Sequence, residues 1–514
     1  MDFNVKSLYE NRSVFVTGGT GFLGKVVVEK LLWSVPGIEN IYLLIRPAKG
    51  MTPAQRLDKV LRDPLFTRLK ERDASVFQKI IPISGDMTHE NLGICQEEEE
   101  RMIEKVNVCI HSAATVRFDE PLKDAVEMNV TGTSRVIELC KKMKNLISVV
   151  HVSTAYANCD LKETQEKVYE PPVPPKPIID AVNWLGTDIL DMITPKLLGK
   201  RPNTYTLTKA LAEKYLQEEA RDMPLIIIRP SIVGAAWKDP IPGWTDNING
   251  ATGVFAAVGK GVLTNMCGSV DAIADIVPVD VVANMIIVAA SYRAFTETNE
   301  IPIMHCTTGD LNPVKWQKIV YYLEEFYNEY PSEQCIGVPS TQMHKNRSVF
   351  EFNFYYKHYL PALVLDFMNS LIGRKKRYAR LYGKVWKMVE TLHFFTLNGW
   401  LFRTEGLTEL LGEMSIEDQQ EFDFDVRTIN WNSYLYSYAM GIKKFILKDN
   451  NLPLARTHLY RLKAFKTMVQ ALVLFILAKV LPWNGRQKLM AWGVGLILTY
   501  LYSNSVFRQY LKQK

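Results

Sequence analysis

No aspartate or glutamate occurs between Asn450 and Lys514, although ten lysines and arginines fall there. The formal charge of +6 on 514 residues therefore belongs to that tail; the remainder carries 51 Lys+Arg against 55 Asp+Glu. A body so balanced excludes broad electrostatic adhesion to nucleic acid. Paired cysteines are lacking too. The seven stand singly at positions 95, 109, 140, 159, 267, 306 and 335, with no Cys-x-x-Cys. That argues against a disulfide frame or a metal site and for reduced thiols in a cytosol-facing protein. Met1 to Arg12 has two acids and no apolar centre, so no secretory signal is expected. Nor does the tail hold an unbroken run of about 20 apolar residues, the length that spans a bilayer. It has two shorter stretches, 468–483 with Lys479 inside it and 489–502, separated by Asn484-Gly485-Arg486-Gln487-Lys488. Three readings stay open there: one span with Lys479 reaching the interface, a shallow hairpin, or a soluble amphipathic pair. Arg456, Arg461, Lys463 and Lys466 place the side before it in the cytoplasm if it is a membrane tail.

What is present is an ordinary globular composition, 47% apolar and 23% charged, long enough for a core domain and a further unit. From residue 13 to about 290 short apolar runs alternate with helical stretches. Strands are expected at 13–17, 40–45, 79–84, 106–110, 146–152 and 224–229. Such alternation predicts an α/β fold, a Rossmann-type doubly wound parallel sheet. Residues 1–345 would form that unit with its substrate-side loops. Residues 346–450, rich in Phe, Tyr and Trp, would form a mostly helical C-terminal domain, and 451–514 a hydrophobic membrane tail. The Pro-rich segment 169–177 reads as a rigid loop beside the site or as a surface spacer, and 240–261 as an irregular segment over the substrate side. The run Arg374-Lys375-Lys376-Arg377-Tyr378-Ala379-Arg380 is either a solvated face or a contact for anionic lipid or cofactor phosphates.

Chemistry is concentrated in two motifs. Thr17-Gly18-Gly19-Thr20-Gly21-Phe22-Leu23-Gly24 follows the first strand and opens a helix. Glycines at 18, 21 and 24 suit a tight turn, close approach of backbone to a pyrophosphate, and close packing of helix on strand. The helix N-terminus then offers free N–H groups to phosphate. Tyr205 and Lys209, four residues apart in Tyr205-Thr206-Leu207-Thr208-Lys209, share a helix face. The lysine charge there is expected to lower the pKa of the tyrosine, making it an acid or base near neutral pH. The second strand ends at Arg46, where an NAD-selective site favours an acid on the ribose 2′-hydroxyl. An arginine suits a 2′-phosphate instead, with Lys49 a further cation, so NADPH is the expected cofactor.

Together these motifs resemble the extended short-chain dehydrogenase/reductase superfamily. The resemblance implies a third catalytic hydroxyl after a middle strand, which in Val150-His151-Val152-Ser153-Thr154-Ala155-Tyr156 is best matched by Thr154, with Ser153 the alternative. It also implies that Asp86 bonds the adenine amine, and that Ala113 and Ala114 let the cofactor lie close. The cofactor set is then Gly18, Thr20, Gly21, Phe22, Leu23, Gly24, Arg46, Asp86, Ala113, Ala114 and Lys209; the catalytic set is Thr154, Tyr205 and Lys209.

A narrower resemblance rests on five blocks in order, beginning at Thr17, His111, His151, Tyr205 and Arg229-Pro230-Ser231-Ile232-Val233-Gly234. With Pro242-Gly243-Trp244-Thr245-Asp246-Asn247 and Phe424-Asp425-Val426-Arg427, the chain resembles the fatty acyl-CoA reductases over nearly its whole length. That implies NADPH-dependent, two-step reduction of a long-chain acyl-CoA to a primary alcohol, and a tail in the peroxisomal membrane with the catalytic domain facing the cytosol. The partners implied are the acyl-CoA and a lipid membrane, and a homo-oligomer stays open. Two rivals share the main motifs: a membrane-bound hydroxysteroid dehydrogenase or isomerase, and a catalytically dead, membrane-tethered cofactor-binding scaffold.

Overall fold

Alternate residues of the central strands point to opposite faces, and both faces are buried. Val14, Val16, Val108, Ile110, Val150 and Ile226 enter one apolar cluster, while Phe15, Cys109, Val149 and Ile227 enter the other. Strands buried on both sides belong to a parallel sheet covered by helices. The computed structural model has that architecture. It describes residues 4–48, 50–298 and 300–480, with Gly485, Gln487, Met490 and Gly493. Lys49, the Lys479 side chain and most of the second tail stretch lie outside the described residues.

Seven strands, β1 (Ser13–Thr17), β2 (Ile41–Ile45), β3 (Ile80–Ser84), β4 (Val106–His111), β5 (Ser148–Val152), β6 (Leu225–Pro230) and β7 (Ile303–Cys306), form one sheet. Their order is β7-β6-β5-β4-β1-β2-β3, and every pairing is parallel. The order reverses between β1 and β4, and ligands of such sheets bind at the carboxyl ends of the strands at that point. Helices Phe22–Ser34 and Val279–Phe295 pack against one face, and Gly132–Lys142 and Thr204–Glu219 against the other.

Six strands agree with the sequence expectation; β7 is additional. It is four residues long, carries His305, and follows Pro302, whose carbonyl accepts a bond from the Ile227 N–H. A run this short and mixed has no legible period, so the alternation ends beyond residue 290. The Pro-rich segment is also shorter than expected. Pro175 starts the helix Pro175–Trp184, which packs with Leu207 and Leu211 of the helix Thr204–Glu219. Within 240–261, residues Gly250–Gly259 form a helix. The preceding Trp244 is buried against Phe22 of the glycine-turn helix, so this stretch closes over the start of that helix.

The region after 345 is mainly helical and shares the same core. Tyr434 donates to the Ala235 carbonyl at 2.9 Å, and Asn312 donates to the Val426 and Ile429 carbonyls at 2.9 Å each. The tail begins with the helix Leu452–Val480. Among the described residues no helix is long and apolar enough to cross a membrane.

The helix Thr204–Glu219 is fixed to β6 by an ion pair buried to 1% exposure on both sides, Glu213 with Arg229 at 2.6 Å. Arg229 also donates to the Gln165 and Lys167 carbonyls. Glu213→Gln leaves a buried guanidinium without its counter-charge and is expected to cost about 3–5 kcal/mol. Urea unfolding should show that loss. The double replacement Glu213→Leu with Arg229→Met should cost less than the single one, because it leaves no unpaired charge.

Candidate active site

The turn after β1 brings backbone against backbone. Gly18 has φ +73°, and a Cβ there would lie 2.7 Å from the Ala113 nitrogen just beyond β4. Gly21 caps the following helix, and its N–H donates to the Gly18 carbonyl at 2.9 Å. A Cβ on Gly24 would run into that same carbonyl and lie 2.6 Å from the Gly19 Cα. Gly18 and Gly24 thus hold helix, turn and β4 loop at distances that admit no side chain. Thr20, Phe22 and Leu23 flank an exposed Gly21, and the first-turn N–H groups of the helix have no intrahelical acceptor. This cradle fits a pyrophosphate. Ala113 lies opposite it, its N–H donating to Thr17 Oγ1 at 3.2 Å, with Ala114 next in the same loop.

At the neighbouring strand ends, the exposed Arg46 faces Asp86 at 3.7 Å. Asp86 also accepts from the Thr88 N–H and hydroxyl at 3.1 and 2.9 Å. Arg56, on the helix Pro53–Leu61, donates to the Arg46 carbonyl and places a second guanidinium here. No sequence motif singles it out, because the two arginines are neighbours only through the turn between strand and helix.

Beyond β5, the Thr154 hydroxyl accepts from the Tyr156 N–H at 3.3 Å and lies against the Pro230 carbonyl at 3.4 Å. The Ser153 hydroxyl is buried without a hydrogen-bond partner. Lys209 is buried and donates to the Val152 carbonyl at 2.8 Å. Burial pushes Tyr205 up to about 12, opposed by the Thr154 hydroxyl, and pushes Lys209 down to about 8, opposed by Glu213. The sequence-based expectation of a lowered tyrosine does not hold: burial raises the phenol, and one N–H of the Lys209 ammonium is bonded to the Val152 carbonyl. A tyrosine that stays protonated at neutral pH is suited to giving a proton, as reduction requires.

Several supporting residues were not singled out from sequence. Asn129 accepts from the Thr115 N–H at 2.9 Å and donates to the Thr208 hydroxyl at 3.0 Å, tying the loop after β4 to the helix Thr204–Glu219. His111 lies between the hydroxyls of Thr17 and Thr133 at 2.7 and 3.0 Å; burial, then Lys209, push its pKa down to about 3. Phe118 stacks on Tyr205 at 5.6 Å and meets Phe395 at 5.3 Å. Tyr156 meets Phe395, Trp400 and Phe402 edge-on. Aromatic side chains from the C-terminal region therefore wall the catalytic loop. Phe118 and His111 end and begin the block His111-Ser112-Ala113-Ala114-Thr115-Val116-Arg117-Phe118, which was the available signal.

Sheet order, glycine turn and the Thr154–Tyr205–Lys209 cluster define a nicotinamide-binding oxidoreductase of the extended short-chain dehydrogenase/reductase class. The fold is shared with solved reductase domains. The terminal R domain of the myxalamid biosynthetic pathway superposes with a TM-score of 0.58, at 17% identity, over 86% of this chain and 93% of that one. A nonribosomal peptide synthetase reductase domain from Mycobacterium tuberculosis gives 0.55, at 18% identity, over 85% and 94%. Two family models, both described as male sterility protein, match residues 16–286 and 357–449. Fatty acyl-CoA reductase 1 of Gallus gallus and of Homo sapiens are each 39% identical over 501 residues, 97% of either chain. Fatty acyl-CoA reductase 2 of Mus musculus is 38% identical over 95% of both chains. The chain belongs to the fatty acyl-CoA reductase family and is an alcohol-forming oxidoreductase.

The lowered pKa of Lys209 has a kinetic consequence. Its ammonium is complete well below pH 8 and lost as pH rises through about 8. Cofactor kcat/KM, which reports groups of the free enzyme, should fall across that interval, and Lys209→Met should remove the fall along with most of the activity. A pH profile of initial rates at limiting cofactor checks this.

Proposed function

We propose that the chain reduces a long-chain fatty acyl-CoA to the primary alcohol in two NADPH-dependent steps, releasing CoA. The observation carrying this reading is the Thr154–Tyr205 pair, walled by Phe118, Tyr156 and Phe395 and adjacent to a glycine turn shaped for a dinucleotide. When bound, the nicotinamide supplies hydride to the carbonyl carbon. Tyr205 and Thr154 donate hydrogen bonds to the thioester oxygen, and those bonds strengthen as negative charge develops there. Tyr205 then gives up its proton, and Lys209 supplies nearby positive charge and a donor for the ribose. Collapse of the hemithioacetal breaks the C–S bond and releases the CoA thiol, leaving an aldehyde. The same two hydroxyls serve the aldehyde carbonyl in the second reduction.

The aromatic wall supports retention of the intermediate. Burial of each methylene is worth about 0.8 kcal/mol, so a long aldehyde leaves slowly between steps. Arg46 and Arg56 support NADPH over NADH, offering two guanidiniums to a 2′-phosphate. The acid-free tail supports attachment to a membrane, and the family resemblance supports a peroxisomal one with the catalytic region in the cytosol.

Product analysis tests the reaction. Two NADPH should be oxidised per CoA released, with long-chain alcohol as the extracted product and little aldehyde. One NADPH per CoA with accumulating aldehyde would make the enzyme aldehyde-forming, and a sterol turned over in preference would favour the hydroxysteroid reading. Tyr205→Phe should abolish turnover while sparing NADPH binding. For the cofactor, Arg46→Asp or Arg56→Asp should weaken NADPH by roughly 10- to 100-fold, the worth of a hydrogen bond to a charged group, with little effect on NADH. Fluorescence titration with both cofactors measures the difference.

A further inference from the structure

The helix Leu360–Leu371 is built inside out. Its buried residues are Ala362 and Asp366, whereas Leu360, Leu363, Val364, Phe367, Met368 and Leu371 are exposed, from 45% to 72%. These six follow a 3.6-residue period and form a continuous outward stripe. A helix of a water-soluble surface presents the opposite arrangement, with its large apolar side chains toward the core. Asp366 explains the inward face. Its carboxylate accepts from the N–H groups of Arg377, Tyr378 and Ala379 at 2.8–3.0 Å, capping the next helix, Tyr378–Leu397. That bond set holds the helix in this orientation with its apolar side outward.

Further large apolar side chains are exposed before this helix and on the tail helix. Phe352 and Tyr356 on the preceding helical turn are 70% and 61% exposed and stack on each other. The tail helix exposes Phe465, Met468, Leu472 and Ile476 at helical spacing. Cations border them: Lys357 and the whole run Arg374, Lys375, Lys376 and Arg377 are exposed. Between residues 352 and 380 the only acid is Asp366, which is buried.

We propose that this surface is a lipid contact in its own right: the helix Leu360–Leu371 lies in the plane of an anionic bilayer surface, its apolar stripe among the acyl chains and its cations at the headgroups. An apolar helix face edged by Lys and Arg is what such seating requires. A second copy of the chain is the poorer occupant, because an isologous contact presents the same surface twice and supplies no carboxylate to the exposed cations. The contact does not depend on the acyl-CoA reading, nor on how the tail is attached.

The test uses the full chain reconstituted in phosphatidylcholine vesicles containing phosphatidylserine. Cys95, the one exposed cysteine among the seven, is replaced (Cys95→Ser). An environment-sensitive fluorophore is then attached at Phe367→Cys, at Leu472→Cys on the tail, or at Glu97→Cys, an exposed position on the helix Gln96–Lys105. Phe367→Cys should show blue-shifted emission quenched by lipids brominated in the acyl chain, whereas Glu97→Cys should show neither. Replacing residues 374–377 by glutamine should weaken seating by on the order of 1,000-fold, as expected for four cations near an anionic surface, with unchanged turnover of soluble short-chain substrate. Quenching at Leu472→Cys but not at Phe367→Cys would overturn the proposal while leaving tail attachment standing. A blue shift at Phe367→Cys without bromolipid quenching, accompanied by energy transfer between labelled copies, would assign the surface to self-association and overturn it equally.

Discussion

The site depends on how one helix is clamped. Tyr205, Lys209 and Glu213 follow at four-residue intervals on the helix Thr204–Glu219 and so share one face. Glu213 is locked to Arg229 on β6 and Lys209 to the Val152 carbonyl at the end of β5. Two successive turns of the helix thus meet the carboxyl end of the sheet through polar contacts. Burying Arg229 and Glu213 is tolerable only with their mutual charge and bonds intact, which leaves the helix a single register. The glycine turn is fixed independently, by backbone packing that tolerates no Cβ at Gly18 or Gly24. Two rigid placements made by different means therefore face each other across the β1–β4 switch point.

That separation explains what could be read from sequence. The glycine spacing and the Tyr205–Lys209 spacing are local patterns whose geometry follows from one turn or one helix, so both were legible. The six longer strands were legible through their apolar runs. β7 was not, because four residues including His305 carry no period. Arg56, Asn129 and Phe395 reach the site from elements distant in sequence or through turns, and their roles appear only once the chain is folded. The upward shift of Tyr205 was hidden for a related reason. Spacing gives the distance along a helix but not the direction in which a lysine amine turns or how deeply a phenol is buried.

Acid–base character and architecture agree on direction. A phenol kept protonated by burial suits reduction, where the oxygen of the substrate must acquire a proton. The C-terminal region is part of that environment, since the Trp400 indole donates to the Cys159 carbonyl and Phe402 closes on Tyr156. The loop after β5 accordingly has a catalytic face toward Tyr205 and a structural face toward residues 395–402.

The two-residue pairing of Leu401–Phe402 with Glu163–Thr164 joins segments far apart in the chain. Ribosomes add roughly 5–20 residues per second, so the strand that receives Phe402 emerges many seconds before its partner exists. Throughout that interval Tyr156 and Cys159 have no Phe402 or Trp400 to pack against. The reductase sheet can be assembled while the wall of its active site is still inside the ribosome, leaving an apolar opening beside the catalytic loop for as long as synthesis takes. For this chain, translation speed over residues 165–400 sets how long that opening is offered to chaperones and to other nascent chains.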